Sequence, residues 1–289
     1  MNNNDLDPYP KAAGLKGKKV VIKFGGSSIE ATDELDRFCR DVALLVRLGI
    51  NPVIVHGGGP EITAEMKRRD IPVRKVLGLR ITDDNTLEVA KSTLTRINDQ
   101  IVRSLNRAGL RSIGIAGSEC NTLLSKKMAP IAGKDDKGAP IEADLGWVGE
   151  VVRTDPKMID ILVSKGFVPV IYPIGADERG QLLNINADTA AAHIAQAVKA
   201  EEFVLVTDVP GLMRVFGDPS TVIPEVRIDD FAGLVEAGVV KDGMIPKLEA
   251  CVMSVRNGVK VAHMVDGKDP EAILGQLLTP RNFGTRIIQ

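Results

Sequence analysis

The chain has 289 residues, of which 44% are hydrophobic and only 3% aromatic, with 37 Lys and Arg against 38 Asp and Glu. That balance excludes broad electrostatic attraction to nucleic acid or to an anionic membrane, and the length suits one large α/β domain or two lobes around an aliphatic core. Cys39, Cys120 and Cys251 form no Cys-x-x-Cys pair, so neither a zinc site nor a disulfide framework is expected, and a reducing, cytoplasmic setting fits. The polar start Met1-Asn2-Asn3-Asn4-Asp5 does not read as a signal peptide, and no apolar run approaches the roughly 20 residues of a membrane span.

Pro8, Pro10, Gly14 and Gly17 argue against an ordered helix before residue 18, so 1–17 is expected to be a flexible segment. From Lys18 strands and helices alternate. A strand over 18–24 is followed by a helix at about 31–48, where Leu35, Phe38, Val42, Leu45 and Val46 recur at helical spacing. A strand over 52–55 runs through glycines into a helix starting near Pro60. Thr82 or Asp83 caps a long helix that Gly109 ends, and a strand over 112–116 follows. Residues 117–153 break the rhythm and read as an excursion of hairpins, a candidate lid. Asp155-Pro156 opens another helix. The pattern then predicts a strand at 168–171, a helix at 187–199, a strand at 203–207, helices near 229–236 and 244–256, and a strand at 259–264. The fold class predicted is α/β, a mainly parallel sheet with helices on both faces and the site at the strands' carboxyl edge.

The motifs exclude several chemistries. There is no G-x-x-x-x-G-K-[ST], no G-x-G-x-x-G after a strand, no H-E-x-x-H and no G-x-S-x-G. What remains points to phosphate. Lys23 closes an apolar strand just before Gly25-Gly26, where an ammonium can project at an anion that side-chain-free residues admit closely. His56-Gly57-Gly58-Gly59 precedes a helix whose positive end offers N–H groups, with His56 itself read as structural. Arg80, within Gly78-Leu79-Arg80-Ile81-Thr82-Asp83, can fork onto a carboxylate. Asn184, Asn186 and Asp188 crowd one strand-to-helix joint, more polar groups than a cap requires. Thr207-Asp208-Val209-Pro210-Gly211-Leu212 follows a strand where a base or ribose could lie. Asp242-Gly243-Met244-Ile245-Pro246-Lys247 sets a second lysine in the first turns of a helix.

Taken in this order, these motifs resemble the amino-acid kinase family, from about Lys18 to Ile287. The resemblance implies a three-layer αβα sandwich in two lobes, an amino-acid-binding lobe at 18–180 and an ATP-binding lobe at 181–289. It implies transfer of the ATP γ-phosphoryl group to the side-chain carboxylate of N-acetyl-L-glutamate, with Mg²⁺ travelling on the nucleotide. By the same resemblance Lys23 and Lys247 match the lysines that stabilise the transferring group, and Asp188 the aspartate that orients them. Gly58, Gly59, Arg80 and Asn184 match substrate-binding positions. Gly25, Gly26, Thr207, Asp208, Gly211, Leu212, Gly243 and Met244 match nucleotide-binding ones. The loop Ala116-Gly117-Ser118-Glu119 departs from the family's usual Ser-Gly-Lys-Asp. Residues 1–17 look unsuited to the long N-terminal helix of arginine-inhibited members, so a homodimer without that feedback is expected. The start Lys23-Phe24-Gly25-Gly26-Ser27-Ser28 also resembles aspartokinases. An aminoadipate-type kinase and a non-catalytic sensor on the same scaffold are the other readings.

Overall fold

The computed structural model describes residues 8–25, 32–76, 79–134, 140–241 and 243–289. In chain order the elements are α1 (Ala12–Leu15), β1 (Lys19–Phe24), α2 (Thr32–Arg47), β2 (Asn51–His56), α3 (Gly59–Arg68), the short pair β3 (Lys75–Val76) and β4 (Leu79–Arg80), α4 (Asp84–Arg107) and β5 (Ser112–Ala116). Then come β6 (Leu124–Lys127), β7 (Ile131–Lys134), β8 (Pro140–Ala143), β9 (Gly149–Arg153), α5 (Lys157–Ser164), β10 (Val168–Tyr172), β11 (Ile174–Ala176) and β12 (Leu182–Asn184). The chain ends with α6 (Ala187–Ala197), β13 (Glu202–Thr207), β14 (Glu225–Arg227), α7 (Phe231–Glu236), α8 (Met244–Arg256), β15 (Val261–Asp266), α9 (Ala272–Leu278) and β16 (Gly284–Ile288).

Among the described residues the central sheet has eight strands, in the order β14-β16-β15-β13-β1-β2-β10-β5. Every neighbouring pair is parallel except β15 with β16. Parallel strands are covered on both faces, and the alternation of β1 shows how. Val21 packs into the cluster formed with α6 and α8, whereas Val20, Ile22 and Phe24 pack into the one formed with α2, α4 and α9. Each fully buried aliphatic of this kind contributes on the order of 1.5–3 kcal/mol of transfer free energy. In β2 the same period sends Val53 and Val55 to the α6/α8 face and Ile54 to the α2/α4 face.

The local signals behave as predicted. Asp83 is the cap of α4, its carboxylate accepting from the Thr86 N–H at 2.8 Å, and Gly109 follows the helix end with φ of 86°. The excursion after β5 is made of antiparallel hairpins, β6 with β9 and β7 with β8, and β6 also joins β11 and β12 in a second sheet. Within the described residues 8–17 the breakers do not keep the whole stretch irregular. The single turn α1 is anchored by the Lys11 N–H donating to the Leu278 carbonyl at 3.0 Å, and it buries Ala12 and Leu15 in the α2/α9 cluster. Tertiary packing overrides the local composition there. No described helix is long and apolar enough to cross a membrane.

Candidate active site

Strand alternation aims Lys23 at the α6/α8 face, the face that Val21 shares. Asp188 and Lys247 meet it there from the first turns of α6 and α8. Lys23 Nζ lies 2.8 Å from Asp188 Oδ1, and Lys247 Nζ donates to Asp188 Oδ2 at 2.9 Å. The Asp188 side chain is 8% exposed and that of Lys247 24%. Burial by itself would raise the Asp188 pKa, but the two ammonium groups outweigh it and hold the carboxyl at about 2. One carboxylate thus fixes two cations side by side and leaves a surplus of positive charge.

Lys23, Asp188 and Lys247 line a cavity of about 290 Å³ together with Gly57, Gly58, Gly59, Arg80 and Asn184. Gly58 caps α3 and Gly59 opens it, so both stand at the positive end of that helix and line this space. No larger residue replaces Gly58 without movement, because a Cβ there would sit 2.7 Å from Ile97 Cδ1 and 3.0 Å from Leu94 Cδ2. Arg80 is 8% exposed. Its hydrogen bonds go to uncharged groups: Met66 Sδ at 3.1 Å, the Gly59 carbonyl at 3.0 Å and Thr63 Oγ1 at 2.8 Å. Burial lowers its pKa. Among the described residues no carboxylate sits on this buried guanidinium, which leaves it poised to receive one from a ligand.

The joint before α6 divides its polar groups by task. Asn186 is the cap, its Oδ1 accepting from the N–H groups of Asp188 and Thr189. Asn184 lines the cavity, its amide donating to Thr82 Oγ1 at 3.3 Å.

A second cavity of about 820 Å³ lies beside the first. Asp208, Gly211, Leu212, Gly243 and Met244 line it, and so does Lys247, which thereby belongs to both. Thr207 does not line either space. Its hydroxyl donates to the Val209 carbonyl at 2.8 Å and accepts from the Val209 N–H, so it closes its own turn. Gly25 lines neither cavity but abuts the site, since a Cβ there would lie 3.2 Å from Lys23 Nζ. Gly26 and Asp242 lie outside the described residues. Ala116, Gly117, Ser118 and Glu119 do not line the smaller cavity; the Glu119 carboxylate instead accepts from the Ala116 N–H.

Sequence reasoning missed other wall residues. Lys75 arrives on a two-residue strand with no local signature, and Val148 reaches the smaller cavity from the root of the hairpin excursion. That root is tied down by Trp147 Nε1 donating to Asp84 Oδ1 at 2.7 Å and by pairing of Val148 with Asn184. In the larger cavity Val215 and Phe216 were missed. An aromatic residue within a Gly/Pro-rich loop was the available signal.

This sheet, with two lysines and a glycine turn at its carboxyl edge, defines a phosphoryl-transfer enzyme of α/β type, and residues 18–266 match the amino acid kinase family, to which the chain belongs. Its relatives are more specific: the chain is 41% identical to the acetylglutamate kinase of Heliobacterium modesticaldum, covering 98% of this chain and 96% of that protein. It is 39% identical to that of Methanothermobacter thermautotrophicus, covering 98% of each. Among solved structures, the smu.665 protein of Streptococcus mutans superposes with a TM-score of 0.76 at 26% identity, covering 93% of this chain and 98% of that one. The N-acetylglutamate synthase of Neisseria gonorrhoeae shares the fold, with a TM-score of 0.83 at 21% identity, covering 97% of this chain but 61% of that longer one.

Proposed function

We propose that the protein transfers the γ-phosphoryl group of ATP to the side-chain carboxylate of N-acetyl-L-glutamate, giving an acyl phosphate and ADP. The observation that carries this reading is Lys247, shared by the two cavities and bridged through Asp188 to Lys23. The smaller cavity takes the acceptor, with Arg80 and Asn184 on its polar groups, and the larger takes the nucleotide. A carboxylate oxygen attacks the γ-phosphorus, the bond to the β-bridging oxygen breaks, and ADP leaves with the electron pair. The acceptor is already ionised at pH 7, so no proton has to be removed. Positioning and charge neutralisation then supply the catalysis. Lys23 and Lys247 serve the equatorial oxygens, and the glycine N–H groups of the α3 end serve the acceptor side. Mg²⁺ enters with the nucleotide, on its phosphates; Asp188 is already engaged by both lysines.

The same reading assigns 18–180 to an amino-acid lobe and 181–289 to a nucleotide lobe, in a cytoplasmic homodimer without arginine feedback. The free thiols of Cys39, Cys120 and Cys251 agree with a reducing compartment. The edge strand β5, with Ile113 partly exposed, offers unpaired backbone to a second copy. The deciding experiment traps the acyl phosphate with hydroxylamine, in the presence of ATP and Mg²⁺. N-acetylglutamate is expected to give hydroxamate, whereas glutamate, aspartate and N-acetylaminoadipate give little. No signal with N-acetylglutamate would refute the assignment.

A further inference from the structure

His56 ends β2 on the face opposite Lys23. It has the parity of Ile54, pairs in register with Phe24, and is fully buried toward α4. The cavity walls include Gly57, Gly58 and Gly59 but not His56. Its ring is nevertheless engaged on both sides. The Asn98 amide nitrogen, from α4, donates to the Val170 carbonyl at 2.9 Å and lies 3.1 Å from His56 Nε2. The Val170 carbonyl fixes which end of the Asn98 amide is the nitrogen. Nε2 must therefore accept, and the proton resides on Nδ1. Nδ1 lies 2.9 Å from the Gly57 carbonyl oxygen and donates to it. Burial keeps the ring neutral, with its pKa down to about 4. Asn98 itself needs a glycine opposite, for a Cβ at Gly114 in β5 would lie 1.7 Å from Asn98 Oδ1.

This chain of contacts sets one peptide plane. The Gly57 N–H is committed to the Phe24 carbonyl at 3.0 Å. The Gly57–Gly58 peptide is trans, so its carbonyl and the Gly58 N–H point in opposite directions. With the carbonyl drawn down to the imidazole, the N–H is aimed away from α4, toward the cavity that Gly58 lines.

We propose that His56 is a positioning residue: held by Asn98, its Nδ1–H anchors the Gly57 carbonyl and thereby aims the Gly58 N–H at the acceptor side of the transferring phosphoryl group. Neither ring nitrogen is available as an acid or base. The inference rests on the phosphoryl-transfer reading above for its kinetic consequence, but not for the orientation of the Gly58 N–H.

Two substitutions separate the bonds. In His56→Asn the amide nitrogen occupies about the position of Nδ1 and keeps the donor to Gly57. In His56→Gln the amide reaches the position of Nε2 and keeps the Asn98 contact alone. We expect His56→Gln to lower kcat about 10- to 100-fold with KM for ATP within about twofold of wild type, the scale of a misplaced catalytic group. His56→Asn is expected to recover most of that loss at a similar melting temperature. Unchanged kcat in His56→Gln, or an equal loss in both variants, overturns the proposal. A second measurement uses the unaltered protein. With 15N-glycine labelling, the Gly58 amide resonance is expected to shift on titration with inorganic phosphate, and to shift less in His56→Gln. A Gly58 amide that phosphate leaves unmoved in the wild type overturns the proposal whether or not the variants fold. A wild type that phosphorylates no N-acetylglutamate while its Gly58 amide responds to phosphate refutes the substrate assignment and leaves the positioning role standing.

Discussion

The two cavities that meet at Lys247 are built from different materials. The smaller cavity is walled by strand ends and first turns of helices: Lys23 from β1, the α3 glycines, Asn184 from β12 and Asp188 from α6. Lys23, Asp188 and Lys247 hold one another there at 2.8–2.9 Å. The larger cavity is walled mainly by the irregular stretches 208–216 and 238–241 and by Gly243, with Met244 and Lys247 from the first turn of α8 and apolar groups from Leu212, Met213 and Val239. Phe216 stands 88% exposed at its wall and Val215 58%. Under the proposed function the difference follows from what each must do. Where bonds change, charges must already stand in place, and rigid elements hold them. Where a large flat base is received, shape can be completed on binding, and loops rich in soft aliphatic and Met side chains suffice.

That contrast can be broken by substitution. The largest effect is expected at the shared residue: Lys247→Ala should lower kcat on the order of 10²–10³, the range for one lost transition-state donor, while KM for N-acetylglutamate changes little. A KM effect exceeding the kcat effect would place Lys247 in ground-state binding instead. Next, Arg80→Ala should act in the opposite sense, raising KM for N-acetylglutamate by about 10- to 100-fold, with a smaller change in kcat and none in KM for ATP. Steady-state kinetics with each substrate varied in turn separates the two. Phe216→Ala should raise only KM for ATP, by about 3- to 10-fold, the scale of one aromatic contact. If it raised KM for N-acetylglutamate equally, the cavities would not be separate in function.

The smallest effect concerns stability and pH. His56 has its pKa lowered from 6.5 to about 4 by burial. Its unfolded form takes up a proton first as pH falls, so its contribution is complete above pH 6.5 and is lost between there and about 4. The melting temperature of the wild type should therefore fall by a few degrees relative to that of His56→Asn as pH is lowered across that window. A constant difference would show that the buried ring does not titrate as its surroundings dictate.

Much of this was legible in the chain. The alternation of elements, the Asp83 cap, and the glycine turn after β2 are local, governed by periodicities of 2 and 3.6 and by capping chemistry. The resemblance carried by the motifs placed Lys23, Gly58, Arg80, Asn184, Asp188 and Lys247 in one site, and the structure brings all of them to one cavity wall. Other features were not legible, since no local rule governs them. Thr207 sits in a motif loop but spends its hydroxyl on its own turn. Lys75 and Val148 enter the wall from segments without a signature. The turn at Ala12–Leu15 exists because α2 and α9 bury it.

The sequence by itself determined the elements, their polarity and the residue types collected at the strands' carboxyl edge, because each follows from neighbours a few positions away. Only the tertiary structure decided the pairings across long separations. It put Asp188 between two lysines that come from strands and helices more than fifty residues away on either side. It also laid α4 on the His56 face of β2, so that one imidazole could hold a peptide plane. Strand order and helix placement set such contacts, and these depend on burial summed over the whole chain rather than on any segment of it.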